Sequence, residues 1–263
     1  MNGSDDRRPD VAAEDEALWR GVLLGTDPVL IKGRRFWMHV PSDPRCKMCF
    51  SPFSGVGGVW SRVTGHGPAP RNPLLCGFCS RQLAKHPGGA EIELSVLFGD
   101  IRDSTTVAES MTATEYRTVL QRFYRVASEA ITTHDGIVDK FLGDGVMALF
   151  IPAFTGESHA GRAIDSARAL LSRIAEMPEP LPVGIGVHTG TAFAGVVGTD
   201  EERDFSALGD AVNVAARLGS IANAGQVLVS LSAAQAAGLA FDGLIRQSVE
   251  LKGRQESLDV VAL

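Results

Sequence analysis

Residues 137–150 have the sequence Ile-Val-Asp-Lys-Phe-Leu-Gly-Asp-Gly-Val-Met-Ala-Leu-Phe. Two apolar runs flank a Gly-Asp-Gly centre, and Asp-Gly is a favoured turn between antiparallel strands. The stretch therefore predicts a β-hairpin with strands over 137–141 and 146–150, and it places Asp144 at the turn.

Outside this hairpin, helix and strand patterns alternate. Residues 112–134 place apolar side chains on one helical face, and Thr112 and Glu115 have the spacing of a capping box. These patterns indicate an α+β fold, an antiparallel-rich sheet with flanking helices. The other predicted elements are helices over 158–177, 210–221 and 232–237, a second hairpin over 183–187 and 192–197, and strands over 92–98, 227–230, 248–252 and 258–262.

The first third of the chain has a different pattern. We expect a disordered tail over 1–12, a small module over 13–89 that holds all four cysteines, and the α+β domain over 90–263. Within the module, residues 14–24 predict a helix and residues 34–40 predict a strand. The Gly/Pro-rich stretch 52–73 predicts little regular structure.

Composition and charge narrow the class of protein. The chain is 44% hydrophobic, and no apolar run approaches the ~20 residues of a membrane-spanning helix. The polar N-terminus has no signal-peptide pattern, so we expect a cytoplasmic protein that does not meet a membrane. Residues 1–90 carry 12 Lys+Arg and 8 Asp+Glu, too small an excess to favour a nucleic-acid partner, whereas residues 91–263 carry 13 and 23.

Asp100 is the second informative acid. It follows the apolar run over 96–99 as Asp144 follows residues 141–143, and two carboxylates on neighbouring strands form an oxygen-rich site for Mg²⁺. Asp144 alone would be an ordinary turn residue. The polar run 103–106 after Asp100 adds backbone N–H groups that suit phosphate.

Residues 209–218, Gly-Asp-Ala-Val-Asn-Val-Ala-Ala-Arg-Leu, open a predicted helix and place Asn213 and Arg217 on one face. With the two aspartates, this region resembles the class III nucleotidyl cyclases, which convert ATP or GTP to a 3′,5′-cyclic nucleotide. The resemblance implies a palm-type, ferredoxin-like catalytic domain over 90–263 with adenylate cyclase activity. It also implies two Mg²⁺ or Mn²⁺ ions per active site, bound by Asp100, Asp144 and the backbone carbonyl of Ile101.

The resemblance assigns substrate contacts as well. Lys140 matches a lysine that selects adenine over guanine, and Ser206 stands where adenylate cyclases tend to have Asp or Thr. Asn213 would orient the ribose, Arg217 would stabilise charge at the α-phosphate, and Lys252 would bind the terminal phosphates.

The resemblance further implies a homodimer. In the family, the metal-binding aspartates of one subunit face the lysine, asparagine and arginine of the other, so two equivalent sites form at the interface. The alternatives are a guanylate cyclase, a catalytically silent nucleotide-binding regulator, and a nucleic-acid-binding module joined to a cyclase domain.

The four cysteines form two C-x₂-C pairs, Cys46 with Cys49 and Cys76 with Cys79, and 26 residues separate the pairs. Four thiolates at two tight turns suit tetrahedral Zn²⁺. An iron–sulfur cluster, or a redox-active or metal-free arrangement, is the alternative. Because four cysteines complete a ligand set, we expect none of the nearby histidines to bind the metal (His39, His66 and His86).

Overall fold

The computed structural model describes residues 9–70, 73–85, 88–199, 203–240, 244–250 and 257–263. The chain forms two compact units. The first contains the described residues up to Ile92 together with Phe193–Ala207, and the second contains Glu93–Ala192 and Leu208–Leu263. Residues from the predicted 90–263 domain thus belong to the same compact unit as the cysteines, and the domain boundary at 89/90 stays a prediction.

The described strands form one sheet that is mostly antiparallel, as expected. They are β1 (Gly89–Ile101), β2 (Ile137–Leu142), β3 (Gly145–Phe150), β4 (Val183–Gly198), β5 (Arg203–Leu208), β6 (Val227–Ser230), β7 (Ile245–Val249) and β8 (Leu258–Ala262). Their order is β2-β3-β1-β4-β6-β8-β7, and β5 pairs with β4. The β4–β6 pair is parallel, whereas β1–β3, β2–β3, β6–β8 and β7–β8 are antiparallel.

The described helices are α1 (Pro9–Leu24), α2 (Pro28–Met38), α3 (Gly55–Val63), α4 (Gly77–Lys85), α5 (Ser104–Glu109), α6 (Ala113–Thr133), α7 (Pro152–Thr155), α8 (His159–Ala175), α9 (Asp210–Ile221) and α10 (Leu231–Ala236). The predicted capping box at the start of α6 is confirmed. The Thr112 hydroxyl accepts from the backbone N–H of Glu115, and the Glu115 carboxylate accepts from that of Thr112.

In the second unit, helices pack on both faces of the sheet. On one face, α6 and α8 bury the main core against alternate residues of β1, β3, β4 and β6. On the other, which we call the α9 face, Val214 and Leu218 of α9 pack against Leu228 of β6 and Val260 of β8. The neighbours of Leu228, Val227 and Val229, belong to the main core, as the alternation of side chains along a strand requires.

In the first unit, α3 buries its small residues and exposes its large ones. A Cβ added at Gly58 would lie 2.6 Å from the carbonyl carbon of Phe53, so only glycine allows this contact. The exposed side chains are Val56, Val59, Trp60 and Val63. Elsewhere in the unit, the buried Trp19 of α1 stacks on Phe205 of β5, with ring centroids 6.5 Å apart.

Two sequence predictions for the first unit are wrong. Residues 34–38 of the predicted strand over 34–40 belong to α2, because Asp27 caps this helix through the backbone N–H of Leu30 at 2.8 Å and Pro28 occupies its first turn. The stretch 52–73 contains α3, in which Gly57 and Gly58 allow close packing. In addition, α1 begins at Pro9, inside the predicted tail, and residues 1–8 lie outside the described part.

The predicted hairpin over 183–197 is also wrong, because β4 runs unbroken from Val183 to Gly198. Gly190, expected in a turn, lies within the strand beside Ala211 of α9. The sequence predictions did not include β5, α4 or α7. The last hairpin begins at Ile245, earlier than the predicted residue 248, and residues 251–256 lie outside the described part.

Candidate functional site

Asp100 and Asp144 lie next to each other at one end of the sheet. Asp100 pairs with Gly145 in the β1–β3 ladder, and the backbone N–H of Ile101 donates to the Asp144 carbonyl at 3.1 Å. The end of β1 and the β2–β3 turn are therefore fixed to one another. This is the arrangement that a shared cation site requires.

Several polar groups contact these carboxylates. Arg102 forms an ion pair with Asp100, and the Ser104 hydroxyl donates to Asp144. Burial raises the pKa of Asp100; Arg102 opposes this shift, and the nearby Asp144 adds to it. A bound cation would offset the repulsion between the two carboxylates, so this donor set fits a divalent metal ion.

Two tyrosines of α6 support the turn that carries Asp144, and sequence reasoning gave them no such role. The Tyr124 hydroxyl donates to the Gly143 carbonyl. The Tyr124 ring stacks on the Phe141 ring, with centroids 4.1 Å apart. Burial is the main cause of the raised pKa of Tyr116, and the charge of Asp144 raises it further. The Tyr116 hydroxyl also forms a hydrogen bond with Ser104. Their helical spacing, eight residues apart, was the available signal.

Lys140 and Asp100 lie on the same face of the sheet. Lys140 pairs with Met147, whose neighbours Val146 and Ala148 point into the main core, so Lys140 and Met147 point to the opposite face. Asp100 also alternates with core residues, Leu97 and Ile101. A Cβ added at Gly219 of α9 would lie 3.0 Å from the Cβ of Phe98, two residues before Asp100, so this is the α9 face.

Asn213 and Arg217 lie one turn apart on α9, as predicted. Asn213 is exposed and Arg217 is half-buried. Within the described part of the chain, neither side chain forms a hydrogen bond or ion pair with the two aspartates. The described part of the chain therefore brings the two aspartates together, and the roles of Asn213 and Arg217 stay predictions.

The two remaining substrate residues are placed differently. Ser206 is buried on β5, within the first compact unit. Lys252 lies outside the described residues, so its predicted role stays a prediction.

The four cysteines come together in the first unit. Their sulfur atoms all lie within 4.8 Å of one another, and the Sγ atoms of Cys49 and Cys76 are 3.7 Å apart. Tetrahedral Zn²⁺ with bonds of ~2.3 Å places its sulfur ligands about 3.8 Å apart. The cluster therefore fits a single tetrahedral ion, whereas a multi-iron cluster places several atoms between its thiolates and needs wider spacing.

Local structure explains how the two pairs meet. Cys46 and Cys49 flank a tight turn, in which the Phe50 N–H donates to the Cys46 carbonyl at 2.8 Å. Cys76 immediately precedes α4, and Cys79 lies in its first turn. The backbone N–H of Cys76 donates to the Cys46 sulfur at 3.2 Å, which ties the second pair to the first.

Arg34 contributes positive charge beside the thiols. Its guanidinium donates to the carbonyls of Met48 and Lys47, at 2.8 and 3.1 Å, and lies over the Phe50 ring. Burial lowers the pKa of Arg34, and Cys46, Cys49 and Cys79 raise it. Because Arg34 was predicted to lie in a strand, sequence reasoning did not connect it with the cysteines.

The four thiols also shift one another's pKa values. Hydrogen bonds with Cys46 and Cys49 hold the pKa of Cys76 far below its ordinary value, and those with the same two residues raise the pKa of Cys79. The hydrogen bond with Cys46 lowers the pKa of Cys49 to about 7. Because one thiolate forms readily, the cluster is prepared for a metal ion.

Comparison with known proteins identifies the family to which residues 90–261 belong. The family model described as the adenylate and guanylate cyclase catalytic domain matches residues 90–261. The chain belongs to this family. The cyclase match includes both aspartates, Lys140 and α9, and it excludes the four cysteines.

Solved cyclases share the fold. The guanylyl cyclase Cya2 superposes with a TM-score of 0.62 and 26% identity, covering 66% of this chain and 93% of that one. The adenylyl cyclase CyaB from P. aeruginosa gives a TM-score of 0.58 and 26% identity, with 66% and 94% coverage. Structures of both nucleotide specificities therefore resemble this chain.

One of the curated relatives is an adenylate cyclase. The terminal-differentiation-specific adenylate cyclase of Dictyostelium discoideum is 30% identical over 178 residues, which is 64% of this chain and 8% of that protein. The chain spans less than a third of the length of curated relatives such as this one. Among the described residues, no helix has the length and apolar character needed to cross a bilayer.

Proposed function

We propose that this cyclase is an adenylate cyclase that converts ATP to 3′,5′-cyclic AMP and pyrophosphate. The observation that carries the proposal is the position of Lys140 on the α9 face, which Asp100 shares, in the hairpin whose turn carries Asp144. An ammonium group donates to adenine N1, whereas guanine presents a donor at that position. The Ser206 hydroxyl would accept from the adenine amino group.

The two aspartates would hold the catalytic metal ions, with the Ile101 carbonyl as a further ligand. Mg²⁺ or Mn²⁺, when bound, lowers the pKa of the ribose 3′-hydroxyl and offsets charge on the pyrophosphate. Asp100 and Asp144 would hold the positive charge of the metal ions at the end of β1. The Ser104 hydroxyl, which donates to Asp144, keeps this carboxylate oriented.

The remaining groups would come from a second subunit. Asn213 would orient the ribose, and the Arg217 guanidinium would stabilise the charge that develops on the α-phosphate as the 3′-oxygen attacks. Lys252 would contact the terminal phosphates. Because one chain carries the residues of both half-sites, a head-to-tail homodimer would form two equivalent reaction centres.

Product analysis tests the proposal. The protein is incubated with ATP or GTP in the presence of Mg²⁺ or Mn²⁺, and the nucleotides are separated by chromatography. We expect cyclic AMP from ATP, none from an Asp144→Ala variant, and unchanged activity from the control Asp165→Ala on the exposed side of α8. Cyclic GMP as the main product would favour a guanylate cyclase. Nucleotide binding with no pyrophosphate would favour a silent regulator.

We also propose that the cysteines hold one structural Zn²⁺ per chain. The sulfur spacing and the Arg34 guanidinium, which offsets the excess negative charge of four thiolates, support this choice. Four free thiols suit a reducing compartment such as the cytoplasm. Metal analysis of the purified protein should find about one zinc per chain, lost in Cys49→Ser. Iron with visible absorbance would contradict the zinc proposal.

A further inference from the structure

A β-bulge lies at Asp139, immediately before Lys140. In the β2–β3 ladder, Val138 pairs with Ala148 and Lys140 pairs with Met147, so Asp139 is the extra residue of the bulge. The pairing is regular from Lys140 to the turn and places Lys140 on the α9 face. If the ladder continued unbroken from these pairs, Asp139 would face Ala148, because a shift of one residue moves a side chain to the other face of the sheet.

The consequence for Asp139 is large. Ala148 is fully buried in the main core with Val146 and Phe150. Without the bulge the Asp139 side chain would point into this core, where a carboxylate is strongly disfavoured. With the bulge it lies beside the Lys140 ammonium group instead.

The Asp139 side chain then holds the lysine in place. Its carboxylate oxygen Oδ2 lies 3.1 Å from Lys140 Nζ, and the Asp139 side chain is 1% exposed whereas that of Lys140 is 45% exposed. Neighbouring residues of a regular strand point to opposite faces, so the bulge is also what allows this contact. A buried carboxylate thus anchors one side of a solvent-facing ammonium group.

We propose that Asp139 is a positioning residue for recognition of the nucleotide base. The inference rests on the proposed function. One N–H of the Lys140 ammonium donates to Asp139, and an ammonium group has further N–H donors of the kind that adenine N1 accepts. The carboxylate itself is too buried to contact a base. Asp139 therefore acts through Lys140, by limiting the orientations of a long side chain.

The test uses Asp139→Asn, Lys140→Ala and the double variant, with Asp165→Asn on α8 as the matched control. For Asp139→Asn we expect the KM for ATP to rise about tenfold, with little change in kcat and a smaller preference for ATP over GTP. The double variant should resemble Lys140→Ala, because Asp139 acts only through that lysine. Asp165→Asn should match the wild type.

Binding of 2′,3′-dideoxy-ATP, which cannot cyclise, gives a readout apart from turnover. Asp139→Asn should bind it about tenfold more weakly than the wild type, with an unchanged melting temperature. A proportional loss of ATP and GTP turnover, or dideoxy-ATP affinity equal to that of the wild type, would overturn the inference. If the wild type binds dideoxy-ATP but forms no cyclic nucleotide, the proposed function fails, and the binding comparison still decides the role of Asp139.

Discussion

His159 lies in a buried polar cluster of the second unit. Its Nδ1 bonds to the Ser95 hydroxyl at 2.9 Å, and that hydroxyl also bonds to the Thr189 hydroxyl at 2.6 Å. Glu93 lies 3.9 Å from Nε2. Burial lowers the pKa of His159, and Glu93 opposes this shift. The cluster joins β1, β4 and α8 by hydrogen bonds inside an otherwise apolar core.

This cluster predicts a pH dependence of stability. Because the pKa of His159 is lower in the folded state, the unfolded chain binds more protons below pH ~6.5, and acid favours unfolding. Stability should therefore fall as the pH drops from about 6.5 towards the folded-state pKa, by at most ~1.4 kcal/mol per pH unit for one proton. In His159→Gln this contribution should disappear. Chemical denaturation at pH 7.5, 6.5 and 5.5 measures it, and parallel profiles for the two proteins would contradict it.

At the scale of elements, α9 rests on the sheet through glycines. A Cβ added at Gly186 of β4 would lie 2.2 Å from the backbone nitrogen of Gly219, and one added at Gly219 would lie 3.0 Å from Phe98. These close contacts leave no room for a side chain. They fix the height of α9 above the sheet, and with it the positions of Asn213 and Arg217.

We therefore expect Gly186→Ala to displace α9, because the added methyl group meets backbone rather than a movable side chain. The variant should lose several kcal/mol of stability and most cyclase activity. Gly161→Ala in α8 is the control: no atom lies within 4 Å of its added Cβ, and alanine favours a helix by up to about 1 kcal/mol. Thermal unfolding and turnover compare the two, and equal behaviour would contradict this account of the α9 contact.

The elements that the sequence predicted well have strong local signals. The hairpin around Asp144, the capping box of α6 and the amphipathic face of α8 depend on neighbouring residues, so their patterns identified them. The unbroken β4 and the glycine-rich α3 depend on tertiary contacts instead. Gly190 and Gly58 permit close packing, but in the sequence they resemble turn residues.

The same distinction applies to the candidate site. The aspartates were predicted from residue type and position, whereas the roles of Asn213 and Arg217 came from the family resemblance. All of these roles stay predictions. The bulge at Asp139 and the contact of Arg34 with the first cysteine pair were not predicted. A bulge changes strand register without a distinctive residue, and the Arg34 contact bridges segments 13 or more residues apart.

At the scale of the whole molecule, the proposed division of the site between two chains predicts complementation. Asp144→Ala and Arg217→Ala subunits should each be nearly inactive alone. Mixed in equal amounts, half of the dimers would contain both, each with one intact site of two, so about one quarter of wild-type activity should return. Turnover after joint refolding or coexpression measures this.

The control mixture combines Asp144→Ala with Asp100→Ala. Both changes affect the same half-site, so every dimer has two damaged sites and no activity should return. If the first mixture also stayed inactive while its subunits associated, each site would lie within one chain, and the two-chain arrangement would be wrong.

The first compact unit draws on two distant stretches of the chain, and this limits how the protein can be divided. A fragment that starts at Gly89 retains β4 and β5 but loses Trp19, which covers Phe205. It also loses the Gly88 carbonyl, which accepts from the Val196 N–H at 2.8 Å. Cutting the chain where the family match begins would therefore leave an aromatic side chain uncovered and a strand end without its partner. If such a fragment is unstable, the loss of these contacts would be the cause, rather than a defect in the proposed active site.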